Sequence, residues 1–243
     1  MPRYFIEVAY KGTNYSGFQI QQNANAVQAE VEKAMRIYYR KEFVLTGSSR
    51  TDAGVHAFQN FFHFDTETPL ADASYHLNAI LPADIVIKRI FPVADTMHCR
   101  FSALSREYRY NVYQQKDPFL VDKAYFFPYS LDIDKMQQAA ALLAVCRDFA
   151  SFSKRNSQAK TTVCQVTKSE WRLSDGMLVY NVTANRFLRG MVRGMVGTML
   201  RVGRGKLSLE QFNGIIEAKD CTKADFSTPP EGLFLVKVSF PSF

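Results

Sequence analysis

One stretch of the sequence combines a carboxylate, a guanidinium and turn-forming glycines within ten residues. It reads Gly47-Ser48-Ser49-Arg50-Thr51-Asp52-Ala53-Gly54-Val55-His56. Reactive side chains are commonly presented on turns that rigid elements hold in place. Asp52 is therefore a candidate catalytic carboxylate, with Arg50 and Thr51 close enough to orient it. The alternative is an ordinary turn, because Asp and Gly are common turn residues.

A second feature is a block of positive charge in the second half of the chain. The protein has 243 residues and a net charge of +7, and residues 1–104 are neutral overall, so the excess lies in residues 105–243. Residues 176–209 contain no acidic residue, and their basic side chains are Arg186, Arg189, Arg193, Arg201, Arg204 and Lys206. This distribution indicates a polyanionic partner, although a solvated basic face is the alternative.

The same block contains a predicted helix over residues 186–202 that keeps Gly190, Gly194 and Gly197. Each glycine in a helix interior costs about 1 kcal/mol relative to alanine, so we expect a neighbouring backbone to approach closely there. Arg189 and Arg193 would share a face of such a helix, from which Arg193 could meet a buried carboxylate. The alternative is a basic surface helix with small residues packed on a neighbour.

A predicted strand over residues 107–113 supplies aromatic side chains. Because side chains alternate between the faces of a strand, Tyr108 and Tyr110 share one face and Arg109 takes the other. An aromatic ring on a sheet next to a basic helix can stack on a nucleic-acid base. In a chain that is 14% aromatic, ordinary sheet packing is the alternative.

Metal, disulfide and nucleotide-cofactor motifs are not indicated. The four cysteines are far apart and form no Cys-x-x-Cys, and the four histidines show no metal-ligand spacing. Gly203-Arg204-Gly205-Lys206 is followed by Leu207, which does not fit a phosphate-binding loop. We therefore predict no metal and no cofactor.

The remaining pattern predicts an α+β protein with two sheet-and-helix halves, residues 1–104 and residues 105–243, packed tightly together. Strands are predicted at 3–10, 43–46, 58–65, 84–91, 107–113, 162–173, 176–184 and 233–239. Helices are predicted at 27–40 with Asn25 as N-cap, 72–80, 133–145, 186–202 and 208–218. Asp175-Gly176 predicts a hairpin turn. No apolar run reaches the roughly 18 residues that span a bilayer, so we expect a cytoplasmic protein.

Taken together, the segments around Asp52, Tyr108 and Arg193 and several others along the chain resemble the tRNA pseudouridine synthase A family. The resemblance covers nearly the whole chain. The segment from Arg50 to Ala57 carries the most specific part of the likeness. Further matches are Tyr15-Ser16-Gly17-Phe18-Gln19, Leu81-Pro82-Ala83-Asp84-Ile85, Arg100-Phe101-Ser102-Ala103, Tyr108-Arg109-Tyr110 and Met191-Val192-Arg193. The chain departs from the family pattern at Phe18, Ser49 and Gly190, where tryptophan, glycine and histidine are usual.

The resemblance implies a function and a role for each matching residue. Asp52 would be the catalytic aspartate, Arg50 would assist flipping of the target nucleotide, Tyr108 would stack on the uracil and Arg193 would pair with Asp52. The reaction would convert uridine to pseudouridine at positions 38, 39 and 40 of the tRNA anticodon arm, without a cofactor. The family fold would be two related, ferredoxin-like halves forming a mixed, mainly antiparallel sheet, in a homodimer.

Two other classes of function remain open at this point. The basic charge and sheet aromatics also suit an RNA-binding module without catalysis, and a carboxylate also suits a nucleoside hydrolase or glycosylase. A pure binder has no use for a buried acid between two arginines. A hydrolase normally needs a second carboxylate, and the Asp52 segment contains none.

Overall fold

The computed structural model describes residues 1–67, 69–155 and 159–241, and the chain groups into two compact units. Unit 1 comprises Met1–Leu104 together with Phe234–Phe243, and unit 2 comprises Ser105–Leu233. Unit 1 is thus assembled from two distant parts of the chain. The predicted domains, 1–104 and 105–243, remain a prediction, because grouping by contacts does not test which parts fold independently.

Unit 1 is built on a mixed sheet. Its strands are β1 (Arg3–Tyr10), β2 (Thr46–Gly47), β3 (His56–Asp65), β4 (Ile85–Val93) and β9 (Leu233–Ser239). Its helices are α1 (Val27–Tyr39) and α2 (Ser74–Ile80). The strand order is β4-β1-β3-β9, in which β1 is antiparallel to both β3 and β4, and β3 is parallel to β9. As an interior strand, β1 is covered on both faces, which explains its nearly continuous apolar sequence.

Unit 2 also combines a sheet with helices. Its elements are β5 (Ser105–Tyr113), β6 (Tyr125–Phe126), β7 (Val166–Ser174), β8 (Met177–Ala184), α3 (Ile133–Val145), α4 (Met191–Gly203) and α5 (Leu209–Ala218). The strands β5-β8-β7 form an antiparallel sheet in that order, and the short strand β6 pairs in parallel with β5. Asp175 and Gly176 both have positive φ and close the β7-β8 hairpin, as the sequence predicted. Helix α3 packs on β7, where the Ser169 hydroxyl donates to the Ala140 carbonyl at 2.8 Å.

The predicted α+β class is confirmed, since both units combine a sheet with flanking helices. None of the helices within the described ranges has the length and apolar character that crossing a membrane would require. Three details of the prediction were wrong at the ends of elements. Helix α1 has Ala26 rather than Asn25 as its N-cap, β7 begins at Val166 rather than at residue 162, and α4 begins at Met191 rather than at residue 186.

The predicted strand over 43–46 is instead an extended segment that pairs as a strand only at Thr46 and Gly47. Phe43 and Leu45 are buried and Val44 is 85% exposed, so the alternating pattern is real. However, the Leu45 backbone binds side chains of α1. Its N–H donates to the Glu32 carboxylate at 2.9 Å, and its carbonyl accepts from the Gln28 amide at 2.8 Å.

Candidate active site

In unit 1, Asp52 lies half-buried on the turn between β2 and β3, and the residue before it is anchored in the core. The hydroxyl of buried Thr51 is 2.7 Å from the hydroxyl of Tyr10 on β1. Asn60 on β3 donates to that Tyr10 hydroxyl at 3.2 Å and to the Ser49 carbonyl at 2.8 Å. Two sheet strands therefore fix the backbone on the N-terminal side of Asp52.

A loop over residues 12–18 supports the same turn from another side. The Phe18 N–H donates to the Thr51 carbonyl, and the Gly54 N–H donates to the Tyr15 carbonyl, both at 3.2 Å. Gly17 has φ +121°, and a Cβ atom on it would lie 2.9 Å from the Thr51 carbonyl oxygen. Only glycine fits that backbone without strain, so the position of the Asp52 turn depends on Gly17.

The supporting loop is itself tied to the start of β4. The hydroxyl of Tyr15 donates to the Asp84 carboxylate at 2.5 Å, and the Asn14 amide donates to the same carboxylate at 2.9 Å. Burial, followed by the bond to Asp84, raises the pKa of the Tyr15 phenol, which keeps it protonated as a donor. The turn thus presents a half-buried carboxylate on a preorganised backbone, with exposed Arg50 two residues away.

In unit 2, Tyr108 lies buried on β5, with its ring 4.9 Å from that of Phe187 in an edge-to-face arrangement. Its neighbour on the same face, Tyr110, is fully buried and donates its hydroxyl to the Pro229 carbonyl at 2.6 Å. Burial raises the pKa of Tyr110, and nearby Arg193 acts in the opposite direction. Tyr110 and Arg193 also bind consecutive backbone carbonyls, since Tyr110 donates to Pro229 and Arg193 donates to Thr228.

The Arg193 side chain is held by the segment of residues 225–229. Its Nε–H donates to the Thr228 carbonyl at 2.7 Å, and the Thr228 hydroxyl donates back to the Arg193 carbonyl at 2.8 Å. A guanidinium has five N–H donors in a rigid plane, so one such bond orients the others. We name residues 225–229 the strap.

Helix α4 admits the strap because two of its glycines lie against it. A Cβ atom on Gly194 would lie 2.7 Å from the Phe226 ring, and one on Gly197 would lie 2.3 Å from the Asp225 carbonyl oxygen. The predicted close approach of a neighbouring backbone is confirmed at Gly197, whereas the close neighbour of Gly194 is the Phe226 side chain. The prediction was wrong for Gly190, which lies outside the helix as its N-cap, with φ +72°.

The basic residues do not share one helix face. Arg186 and Arg189 lie in the loop before α4, so the prediction that Arg189 and Arg193 align on a helix was wrong. Arg201 and Arg204 lie at the other end of α4, followed by Lys206. Helix α4 has 13 residues and is therefore about 20 Å long. The five basic residues other than Arg193 thus form two groups, one at each end of the helix. The Arg204 guanidinium carbon lies 3.8 Å from the ring centre of Tyr129.

Folding brings together three possible metal ligands that sequence spacing did not connect: His63, His98 and Cys99, whose ligand atoms lie within 4.8 Å of one another. Their contacts fit a hydrogen-bonded cluster better than a metal centre. The Cys99 thiol donates to the Thr46 carbonyl at 3.1 Å, and His98 Nδ1 accepts from a backbone N–H, whereas a ligating histidine normally donates through its second nitrogen. Burial, and then positive charges that include nearby Arg3, lowers the pKa of both imidazoles. The same positive charge of Arg3 would also repel a metal cation.

Sequence reasoning missed the residues that hold the candidate groups in place. Tyr10 and Asn60 orient the Asp52 turn, and Thr228 orients Arg193. None of them lies within five residues of the group it supports, and none belongs to a recognisable motif. Their roles follow only from the folded arrangement of each unit.

Comparison with known proteins gives a consistent result over nearly the full length. A family model described as tRNA pseudouridine synthase matches residues 6–102 and 139–241. A protein named tRNA pseudouridine synthase A from Parabacteroides distasonis is 44% identical over 99% of this chain and 97% of its own length. Proteins of the same name from Porphyromonas gingivalis (44% identical, 100% of this chain, 98% of its own length) and Staphylococcus aureus (38%, 97% and 90%) are similar as well.

The family model matches both the segment that carries Asp52 and the segment that carries Arg193. The extent of the match and the identity to these relatives agree with the residue-level likeness around the Asp52 turn. The chain belongs to the tRNA pseudouridine synthase family.

Proposed function

We propose that the protein isomerises uridine to pseudouridine in tRNA, with Asp52 as its catalytic carboxylate. The observation that carries this function is the Asp52 turn, which offers a half-buried carboxylate on a backbone held by two strands and the loop over 12–18. Family membership supplies the reaction, and the excess positive charge of the chain suits an RNA substrate.

The reaction requires only a rearrangement within one nucleotide. The bond between N1 and C1′ breaks, the uracil turns, a bond from C5 to C1′ forms, and the proton on C5 is replaced by one on N1, so that no atom is gained or lost. Breaking the first bond develops positive charge at C1′, which the Asp52 carboxylate either stabilises or attacks, as in glycoside hydrolysis.

The base must first leave the helical stack, which costs a few kcal/mol. In our proposal Arg50 assists that flipping, Tyr108 stacks on the displaced uracil, and Arg193 serves as the charge partner of Asp52. Arg186, Arg189, Arg201, Arg204 and Lys206 would bind the phosphate backbone. Support for these roles comes from the family resemblance and, for Arg193, from a guanidinium oriented by the strap.

Family resemblance also supports finer proposals. The targets would be uridines 38, 39 and 40 in the anticodon arm, the two halves would be related ferredoxin-like folds, and the protein would act as a homodimer in the cytoplasm. Pseudouridine mapping on treated tRNA tests the positions, and light scattering of the purified protein tests the dimer.

The Asp52→Asn variant tests the central assignment. The amide is nearly isosteric but cannot act as an anion or nucleophile, so we expect folding and tRNA binding to be retained and turnover to be lost. Pseudouridine formation at even a tenth of the wild-type rate would contradict the assignment. The wild-type reaction should leave the RNA mass unchanged. Loss of uracil would indicate a hydrolase, and binding without either change would indicate an RNA-binding module.

A further inference from the structure

A pocket in unit 1 lies beside the Asp52 turn but does not include Asp52. Within residues 1–67 and 69–104, its lining contains Arg50 of the turn, the buried aromatic Phe18, the exposed amide of Gln19, and a second group contributed by residues 98, 100 and 101. The Cα atoms of Arg50 and Asp52 are at most about 7 Å apart, because they are two residues apart. A ligand in this pocket would therefore be a close neighbour of whatever reacts at Asp52.

One part of the pocket lining is a hydrogen-bonded turn over residues 98–102 that carries an aromatic ring. The His98 N–H donates to the Ser102 hydroxyl, and the Ser102 N–H donates back to the His98 carbonyl, both at 2.9 Å. His98 Nδ1 also accepts from the Arg100 N–H at 3.1 Å. The residue Phe101 is 76% exposed, and its ring packs on the His98 ring, with the ring centres 4.3 Å apart.

A single exposed apolar side chain needs no explanation by itself. Here, however, the Phe101 ring projects from a turn that three hydrogen bonds fix. Two exposed arginines, Arg50 and Arg100, line the same pocket. The Arg100 guanidinium carbon lies 5.6 Å from the centre of the Phe101 ring. An aromatic face for stacking, cations for phosphate and an amide for a base edge are the groups with which proteins bind single-stranded RNA.

Asp52 does not line the pocket, so the sugar of the target uridine, whose C1′ atom must lie at the Asp52 carboxylate, lies outside it. We propose that the pocket is a second nucleotide subsite, which holds a nucleotide adjacent to the target uridine with its base stacked on Phe101 and its phosphate between Arg50 and Arg100. This inference rests on the proposed function, because it assumes an RNA strand that passes the Asp52 turn. Arg50 would connect the two subsites.

The subsite is tested by a double-mutant cycle that combines a substitution in the protein with a substitution in the RNA. The RNA is a synthetic anticodon stem-loop in which the nucleotide on either side of the target uridine is replaced, one at a time, by an abasic nucleotide. For one of these positions, the replacement should weaken binding to the wild-type protein by about tenfold, as expected for one stacked base. Phe101→Ala should weaken binding of the intact RNA similarly, and it should remove most of the abasic penalty.

Tyr75→Ala is the matched control, because Tyr75 on α2 is an equally exposed aromatic residue of unit 1 (82% exposed) that lies outside the pocket. This variant should keep the full abasic penalty. Phe101→Leu, which keeps apolar volume but loses the ring, should behave like Phe101→Ala. Independent penalties at both flanking positions, or an equal effect of Tyr75→Ala, would overturn the subsite.

The proposed contact of Arg100 with phosphate is tested separately, by the salt dependence of RNA binding. Arg100→Gln should flatten the salt dependence of RNA binding by about one unit of slope or less, and an unchanged slope would contradict that contact. Pseudouridine formation by the wild-type protein is measured in parallel. If pseudouridine forms while the cycle shows no coupling, the subsite fails and the function stands. If coupling is found without pseudouridine, the proposed function fails and the nucleotide site stands.

Discussion

The turn that carries Asp52 and the helix that carries Arg193 are positioned by different means. Arg50, Thr51 and Asp52 form one continuous run, and hydrogen bonds from nearby strands hold that run in place. In unit 2, Arg193 and Thr228 are 35 residues apart, and close packing of the strap on α4 brings them together. The comparison teaches that a site contained in one turn can be identified from a motif, whereas a site assembled by packing needs the fold.

The largest effect that we expect in unit 2 comes from Arg193→Lys. Lysine lacks the planar fork of arginine and cannot reproduce the orientation that the bond to Thr228 imposes. Single-turnover pseudouridine formation should fall on the order of a hundredfold, the usual cost of removing one oriented charge-stabilising donor, while tRNA affinity changes little. Arg189→Lys, at an exposed position just before α4, is the control. A loss of less than threefold would contradict the role.

The proposed partnership of Arg193 with Asp52 is tested by unfolding midpoints of Arg193→Leu, Asp52→Leu and the double variant. Removing one partner should destabilise the protein because it leaves a charge without its counterpart. The double variant should then regain part of the stability. Simple additivity would assign Arg193 to another role, such as contact with phosphate.

The packing of the strap is tested by a pair of helix glycines. Gly197→Ala should lower the free energy of unfolding by about 1–3 kcal/mol, because the new Cβ would overlap the Asp225 carbonyl. Gly214→Ala in α5 should raise it by up to about 1 kcal/mol, since its added Cβ would meet no atom within 4 Å beyond its chain neighbours and the adjacent backbone of its own helix. Urea denaturation measures both. If the free energy of unfolding changed in the same direction for both variants, the packing of the strap would not depend on its close approach to Gly197.

In unit 1, the hydrogen-bonded cluster around His63 should make stability depend on pH. Burial lowers the pKa of His63 from 6.5 to about 4, with His98 and Arg3 adding to the shift and Asp65 opposing it. The unfolded chain therefore binds a proton that the folded protein rejects, so this contribution is complete above about pH 6.5 and is lost as pH falls towards 4. His63→Asn should lose less stability than the wild-type protein between about pH 7 and pH 5. Equal losses would contradict the assignment.

The smallest effect is expected at the two basic groups that flank α4. Neutralising Arg189 or Lys206 should each reduce the salt slope of tRNA binding by about one unit or less. Arg204 should contribute less, because its guanidinium already lies against Tyr129. Unchanged slopes for every residue of both groups would mean that this charge is only a solvated surface.

Local patterns in the sequence predicted local structure well. The Asp175-Gly176 turn follows from two positive φ values that those residue types tolerate, and β1 follows from a nearly continuous apolar run. The start of α4 could not be predicted in the same way, because the helix begins only after Gly190, which adopts φ +72°. A Cβ atom on Gly190 would lie 2.9 Å from the side chain of Lys154, a residue distant in the sequence of unit 2. The supports of the site, such as Thr228, were invisible for the same reason.

The return of the last strand to unit 1 has a consequence for synthesis of the protein on the ribosome. His56 and Ala57, which directly follow the Asp52 turn, pair with Phe234 and Leu235, and the rings of His56 and Phe234 lie 4.5 Å apart. At about 5–20 residues per second, translation separates these partners by roughly ten to forty seconds. Unit 1 therefore waits for nearly the entire chain before its sheet is complete, and a nascent chain stopped before residue 233 lacks the strand that pairs beside the Asp52 turn.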